Sequence, residues 1–106
     1  MVERSVEEEY VLAEQQLRSV LIQKEALKLQ IAEIENALNE LERTKEENVY
    51  KLVGSVLIKK SKDEVQKELI EIKEDVEIKI ASLENVEKDL MDKIKKIEEK
   101  LKSKGG

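Results

Sequence analysis

The side chains most suited to chemistry in this sequence are its carboxylates. Neighbouring acids at Glu7 to Glu9, Glu46-Glu47 and Glu74-Asp75 could hold a metal ion or form an acid/base pair. Catalysis would need an enclosed pocket that shifts their pKa values, and successive acids on a helix do not face each other. We therefore expect a solvated surface at these positions, with no catalytic, metal-binding or cofactor-binding residues and no enzyme activity.

The composition excludes most other kinds of catalytic and metal-binding site. The 106 residues include no His and no Cys, so an imidazole base, a thiolate nucleophile, a zinc cluster and a disulfide are all excluded. Only Gly54, Gly105 and Gly106 are glycines, and none belongs to a phosphate-binding G-x-x-x-x-G-K-[ST] motif. The net charge of −5 argues against a nucleic-acid binder. An acidic N-terminus and the lack of an apolar run of about 18 residues predict a cytoplasmic protein without a membrane segment.

The elements that must position any functional surface are long helices. Charged residues make up 42% of the chain, aromatic residues 2%, and there is no proline, which is typical of helices that bury a narrow apolar stripe. Alternating spacings of three and four predict a first helix over about residues 5–47. Its heptad a positions are Tyr10, Leu17, Lys24, Ile31 and Leu38, and its d positions are Val6, Ala13, Val20, Leu27, Ile34 and Leu41. Lys24 alone interrupts this seam, and we interpret it as a register device whose ammonium group extends towards water.

The middle of the chain has different chemistry. Residues 49–60 read VYKLVGSVLIKK, with β-branched and aromatic residues on both sides of Gly54-Ser55. This pattern predicts a β-hairpin with a type II′ turn, or a longer loop with a bulge. The S-K-D-E capping box that begins at Ser61 then predicts a second helix over residues 61–102, followed by a flexible tail at 103–106.

The apolar stripe of the second helix is expected to drift. Val65, Leu69, Ile72, Val76, Leu83, Val86, Leu90 and Ile97 follow one heptad frame, whereas Ile80, Ile94 and Leu101 lie one place after Lys79, Lys93 and Lys100. Spacings of eleven therefore mix with spacings of seven. If the chain folds back at the hairpin, facing residues have numbers that sum to 110, which pairs Ala13 with Ile97 and Lys24 with Val86. The predicted fold is mainly α: one domain, residues 1–106, formed by an antiparallel two-helix coiled coil with a single β-hairpin between the helices.

The predicted hairpin is incomplete by itself. Two-stranded hairpins are marginal in water, and unpaired apolar edges aggregate unless an assembly covers them. We therefore expect oligomerisation through a sheet or barrel built from several hairpins. The oligomerisation residues are predicted to be Val49, Tyr50, Leu52, Val53, Val56, Leu57 and Ile58. The alternative is a hairpin that folds down onto its own coiled coil.

The two chain ends hold more apolar residues than one seam can bury. Fraying there would expose surface suited to unfolded proteins, and the alternative is an ordinary seam with disordered ends. The predicted client-binding residues are Val2, Val6, Tyr10, Val11, Leu12, Ile94, Ile97 and Leu101. Other apolar residues off the seam are expected to broaden the core or to contact a neighbouring subunit: Leu21, Ile22, Leu29, Ile70 and Ile78.

The order of these elements resembles the β class of prefoldin subunits, in its archaeal form, over essentially the whole chain. The string Y-K-x-V-G-x-x-L-I-K in the hairpin is the most specific part, and the 12 residues between Asn48 and Ser61 leave no room for the two hairpins of the α class. The resemblance implies a hexamer of two α and four β subunits joined through a β-barrel platform. It also implies an ATP-independent holdase that captures unfolded proteins at the coiled-coil tips and delivers them to a group II chaperonin. The alternative function is a structural or adaptor coiled coil that oligomerises through its hairpin.

Overall fold

The structure is a computed structural model that describes residues 5–105. Helix α1 spans Val6–Arg43, strand β1 spans Asn48–Val53, strand β2 spans Val56–Ser61 and helix α2 spans Lys62–Gly105. The strands form one antiparallel two-stranded sheet. Two long helices with a single hairpin between them confirm the predicted fold class, while the barrel assembly stays a prediction.

Both helices begin at a serine cap. The amide of Glu8 donates a hydrogen bond to Ser5 Oγ at 3.2 Å, and the amide of Glu64 donates to Ser61 Oγ at 3.2 Å. Each hydroxyl thus accepts from one of the free amides of a first turn. Acidic residues follow in both first turns, where the helix dipole favours negative charge. The predicted capping box is therefore confirmed at its serine, which is also the last residue of β2.

The far ends of both helices differ from the predicted bounds. Helix α1 ends at Arg43 rather than at residue 47, because the Thr44 hydroxyl donates to the Glu40 carbonyl at 2.9 Å and Lys62 Nζ donates to the Thr44 carbonyl at 2.9 Å. The first bond satisfies one of the last carbonyls of the helix, and the second holds the carbonyl of Thr44, just beyond its end. Helix α2 continues to Gly105, beyond the predicted end at residue 102. No breaker precedes that glycine, and positive charge is favourable near a helix C-terminus.

The helices pair antiparallel within each of two compact units. The first unit, residues 5–27 with 79–105, is called the paired ends, and the second, residues 28–78, is called the hairpin unit. In the paired ends Tyr10 Oη lies 3.5 Å from Glu98 and Lys24 Nζ lies 2.5 Å from Glu87. In the hairpin unit Lys73 Nζ lies 3.4 Å from Glu35. The residue numbers of these pairs sum to 108 or 111, close to the predicted 110.

The seam of α1 lies where the heptad places it. Ala13, Val20 and Ile34 are buried, and every other a or d residue is partly buried, Lys24 included. Their apolar side chains face the partner segment of α2, where Val76 and Ile97 are buried. The predicted first seam is therefore confirmed.

The predicted drift of the α2 seam is wrong. Ile72 and Val86 are exposed, as are Lys79, Lys93 and Lys100, whereas the neighbouring Lys73 and Glu87 are partly buried. From Leu69 onward, the buried and partly buried positions recur at strict spacings of four and three: Leu69, Lys73, Val76, Ile80, Leu83, Glu87, Leu90, Ile94, Ile97 and Leu101. This is one continuous heptad pattern, in which ion pairs allow charged side chains to occupy two positions.

The hairpin turns at two residues. Val53 pairs with Val56, so Gly54-Ser55 form the loop, and the ladder runs back to the pair Asn48 and Ser61. Gly54 has φ +61°, and no other described residue has a positive φ. A positive φ at the first loop residue alone is the signature of a type II′ turn, whose twist matches that of the strands. The longer bulged loop is thereby excluded.

Candidate functional site

The hairpin carries a dense apolar surface that the hairpin unit leaves in solvent. Of the seven predicted oligomerisation residues, only Val49 is partly buried. The others are exposed, with Tyr50 at 67% and Ile58, the lowest, at 42%: Tyr50, Leu52, Val53, Val56, Leu57 and Ile58. The alternative of a hairpin folded down onto the helices of its own unit is therefore wrong.

The two faces of the hairpin differ in chemistry. Side chains alternate along each strand, so Tyr50 and Leu52 of β1 share a face with their partners Lys59 and Leu57 of β2. We call this the Tyr50 face. The opposite face holds the lysines at positions 51 and 60 together with Val49, Val53, Val56 and Ile58. Both outer strand edges also lack a partner strand within the described chain, since the sheet has two strands.

The face opposite the Tyr50 face, which we call the lysine-bearing face because it holds Lys51 and Lys60, is connected to α2 by one carboxylate. Glu68 Oε1 accepts a hydrogen bond from Lys60 Nζ at 2.6 Å, and Oε2 accepts from Lys51 Nζ at 3.2 Å. The hydrogen bond from Lys60, then that from Lys51, holds the pKa of Glu68 below its ordinary value of 4.5. Because the pKa of Glu68 is lower in the folded chain than in the unfolded one, the ionised carboxylate adds to the stability of the fold above the ordinary pKa. This added stability is lost as the pH falls through the lowered pKa. Glu68 was not among the predicted site residues, although its spacing from Ser61 places it two turns into α2.

The paired ends expose only part of the predicted client-binding surface. Val11 is exposed, and Ile97 is buried at 4% exposure, so Ile97 can reach a client only where the helices separate. The remaining described members are partly buried: Val6, Tyr10, Leu12, Ile94 and Leu101. Val2 lies outside the described residues. Val11 and Leu12 come together in a shallow groove on α1 that Glu7, Glu8 and Gln15 also line.

Tyr10 lies in an acidic environment within the paired ends. The carboxylate of Glu14, partial burial and the carboxylate of Glu98 raise its pKa to about 12. The phenol therefore keeps its proton at any physiological pH. Its hydroxyl lies at hydrogen-bond distance from Glu98 across the helix pair, which makes Tyr10 a polar contact of the seam as well as an apolar one.

The ion pair between Lys24 and Glu87 was predicted only in part: Lys24 interrupts the seam as expected, but its ammonium group contacts Glu87 rather than extending towards water. The two side chains are 12% and 22% exposed, and the hydrogen bond from Lys24 to Glu87 raises the pKa of the lysine. The predicted partner, Val86, is exposed instead. A Glu at a core heptad position, numbered to face a core Lys, is the signal that would have identified this pair.

The off-seam apolar residues do not broaden the core. All five are exposed: Leu21, Ile22, Leu29, Ile70 and Ile78. Contact with a neighbouring subunit stays a prediction for these positions. Over the part of the chain that the structure describes, no group of three acidic side chains could hold a metal ion, and neither helix has a stretch long and apolar enough to cross a membrane.

Comparison with known proteins agrees with this arrangement of helices and hairpin. A prefoldin subunit family model matches residues 5–106. The chain is 37% identical over 91 residues to the prefoldin subunit beta of Archaeoglobus fulgidus, covering 85% of this chain and 78% of that protein. It is 36% identical, with the same coverage, to the prefoldin subunit beta of Thermococcus onnurineus.

A solved structure gives the same result. The crystal structure of the prefoldin beta subunit from Thermococcus strain KS-1 matches with a TM-score of 0.86 and 33% identity, over 92% of this chain and 87% of that one. The chain therefore belongs to the prefoldin subunit family, a family of chaperone subunits and not of enzymes. The resemblance to archaeal β subunits that the hairpin string indicated is confirmed.

Proposed function

We propose that this chain is a β-type subunit of an ATP-independent holdase in the cytoplasm, assembled with an α-type subunit and further copies of itself. Four such chains and two α subunits would join through their hairpins into a β-barrel platform. The complex would capture unfolded proteins at the paired ends and deliver them to a group II chaperonin. The observation that carries the proposal is the hairpin, which exposes six large apolar side chains on a chain of this family.

Exposed strand edges supply the means of assembly. Each hairpin can add a strand from another subunit at either edge, because the main-chain groups there have no partner strand. Joining hairpins would also bury the Tyr50 face, so hydrogen bonding and apolar burial favour the same association. Several paired ends on one platform would raise the avidity for a client by roughly 10²- to 10⁴-fold when they bind together.

The first experiment tests assembly. The chain is mixed with an α-type subunit, and the mass is measured by size-exclusion chromatography with light scattering. Leu57→Lys places a charge on the Tyr50 face and is expected to abolish the hexamer while helical circular dichroism is retained. Met91→Lys is the matched control, since Met91 is also exposed but lies on α2, outside the hairpin and outside the residues predicted to contact a neighbouring subunit. Equal loss of assembly in both variants would contradict assembly through the hairpin.

The second experiment tests capture. The hexamer is expected to delay aggregation of a chemically denatured protein without ATP, and deletion of residues 1–12 and 94–106 is expected to leave a hexamer with weakened capture. A hexamer that gives no protection would favour the structural or adaptor function instead. Loss of assembly in the deletion variant would assign the paired ends a structural role.

The third experiment tests delivery. A labelled client bound to the hexamer should transfer to a group II chaperonin when the two complexes are mixed, and the same client should stay bound when the chaperonin is omitted. If the denatured client reached the chaperonin at the same rate without ever being bound to the hexamer, the hexamer would have no role in delivery.

A further inference from the structure

One carboxylate of α2 reaches both strands of the hairpin. Lys51 belongs to β1 and Lys60 to β2, and each donates to a different oxygen of Glu68. The register pairs Lys51 with Ile58 and Val49 with Lys60, so the two lysines lie on the same face, diagonally across the ladder. Glu68 therefore bridges β1, β2 and α2 at one point.

A second tie lies at the open end of the hairpin. The amide of Lys62 donates to the Glu47 carbonyl at 2.8 Å, which extends the strand pairing by one bond beyond Asn48. The ammonium group of Lys62 donates to the Thr44 carbonyl at 2.9 Å. Lys62 thus joins the start of α2 to the loop that follows α1. Together with Glu68 it gives the hairpin two separate attachments within the hairpin unit.

These attachments determine which face of the hairpin is directed away from α2. Lys51 and Lys60 are held towards α2, so the Tyr50 face is directed away from it. Tyr50, Leu52 and Leu57 are each more than 60% exposed, against 50% for Val53, 59% for Val56 and 42% for Ile58 on the opposite face. A free hairpin is marginally stable, and ordering it during association would weaken binding. A hairpin held in one orientation before association avoids that cost.

We infer that Glu68 is a positioning residue for assembly, which presents the Tyr50 face in a fixed orientation to incoming subunits. Glu68 acts through Lys51 and Lys60 and need not contact the partner itself. This inference rests on the proposed assembly through the hairpin. It predicts that removing the charge of Glu68 weakens association without unfolding the helices.

The test compares Glu68→Gln with Glu71→Gln, an exposed carboxylate one turn further along α2. The dilution midpoint of the oligomer, measured by light scattering, is expected to rise roughly tenfold for Glu68→Gln, as expected when one or two side chains must be ordered on binding. Lys60→Met should act in the same direction. Unchanged helical circular dichroism checks that the variants fold.

Two further readouts separate positioning from a general structural role. Replacing all three residues with opposite charges, Lys51→Glu, Lys60→Glu and Glu68→Lys, should restore part of the lost affinity. In the dilute monomer, amide hydrogens of β1 and β2 should exchange faster in Glu68→Gln than in Glu71→Gln, whether or not the chain oligomerises. Equal strand exchange, or equal dilution midpoints in a parent that assembles, would overturn the inference. A parent that fails to assemble would defeat the proposed function, while the exchange measurement would still decide on Glu68.

Discussion

The layer formed by Ala13 and Ile97 allows the energy of the seam to be measured with one substitution. Ile97 is 4% exposed and faces a fully buried alanine, so Ile97→Ala removes three carbon atoms from an enclosed site. At about 0.8 kcal/mol per buried methylene, the transfer loss is about 2.4 kcal/mol. The cavity adds to this loss, and the better helix propensity of alanine offsets about 0.4 kcal/mol. We expect the free energy of unfolding to fall by about 2.5 kcal/mol.

The matched control is the same substitution on the same helix at an exposed position. Ile78 is 68% exposed, so Ile78→Ala loses little buried surface, and its free energy of unfolding should stay within about 0.5 kcal/mol of the parent. Both variants are unfolded in urea and followed by circular dichroism at one low protein concentration, since association would add stability by mass action. A difference of less than about 1 kcal/mol between the two variants would refute the assignment of Ile97 to the seam.

Three further predictions concern the turn, a cap and the ion pair. Gly54→Ala should destabilise the hairpin by about 1–2 kcal/mol through its positive φ alone, because an added Cβ meets no atom within 4 Å; faster strand hydrogen exchange would reveal this, and unchanged exchange would contradict it. Ser61→Ala should lower the free energy of unfolding by about 1 kcal/mol in urea, through loss of the bond from the Glu64 amide. Lys24→Leu leaves Glu87 without its cation in the seam, so its melting temperature should fall below those of the parent and of Lys24→Leu/Glu87→Leu; a double variant as unstable as the single one would argue against pairing.

The predictions from sequence succeeded where burial follows hydrophobicity. The α1 seam contains one charged residue among eleven, so spacing alone located every position. The hairpin was equally predictable, because Gly54 followed by a serine between two β-branched segments has few other interpretations. The exposure of the hairpin was also predictable, because two paired helices offer no broad surface that could cover its apolar residues.

The prediction of the α2 seam failed for a physical reason. Hydrophobicity ranks Val86 above Glu87 and Ile72 above Lys73, and an apolar pattern therefore selects the wrong residue of each pair. Charged side chains can occupy seam positions when a partner of opposite charge lies across the helix pair, and that partner is distant in sequence. The missed role of Glu68 has the same origin, since its lysines are 8 and 17 residues away.

Facing residues of the helix pair have numbers with a nearly constant sum, which restricts how the length of this chain can change. Within the paired ends, the layer of Leu17 and Ile94 and the layer of Val20 and Leu90 lie between those of Ala13 and Lys24. Removing residues 14–20 alone would move every outer residue of α1 one heptad out of step with α2. Removing residues 90–96 as well deletes two complete layers and restores the match between Ala13 and Ile97. Viable shortening or lengthening of these helices is therefore expected in paired steps of seven residues, one step on each side of the hairpin.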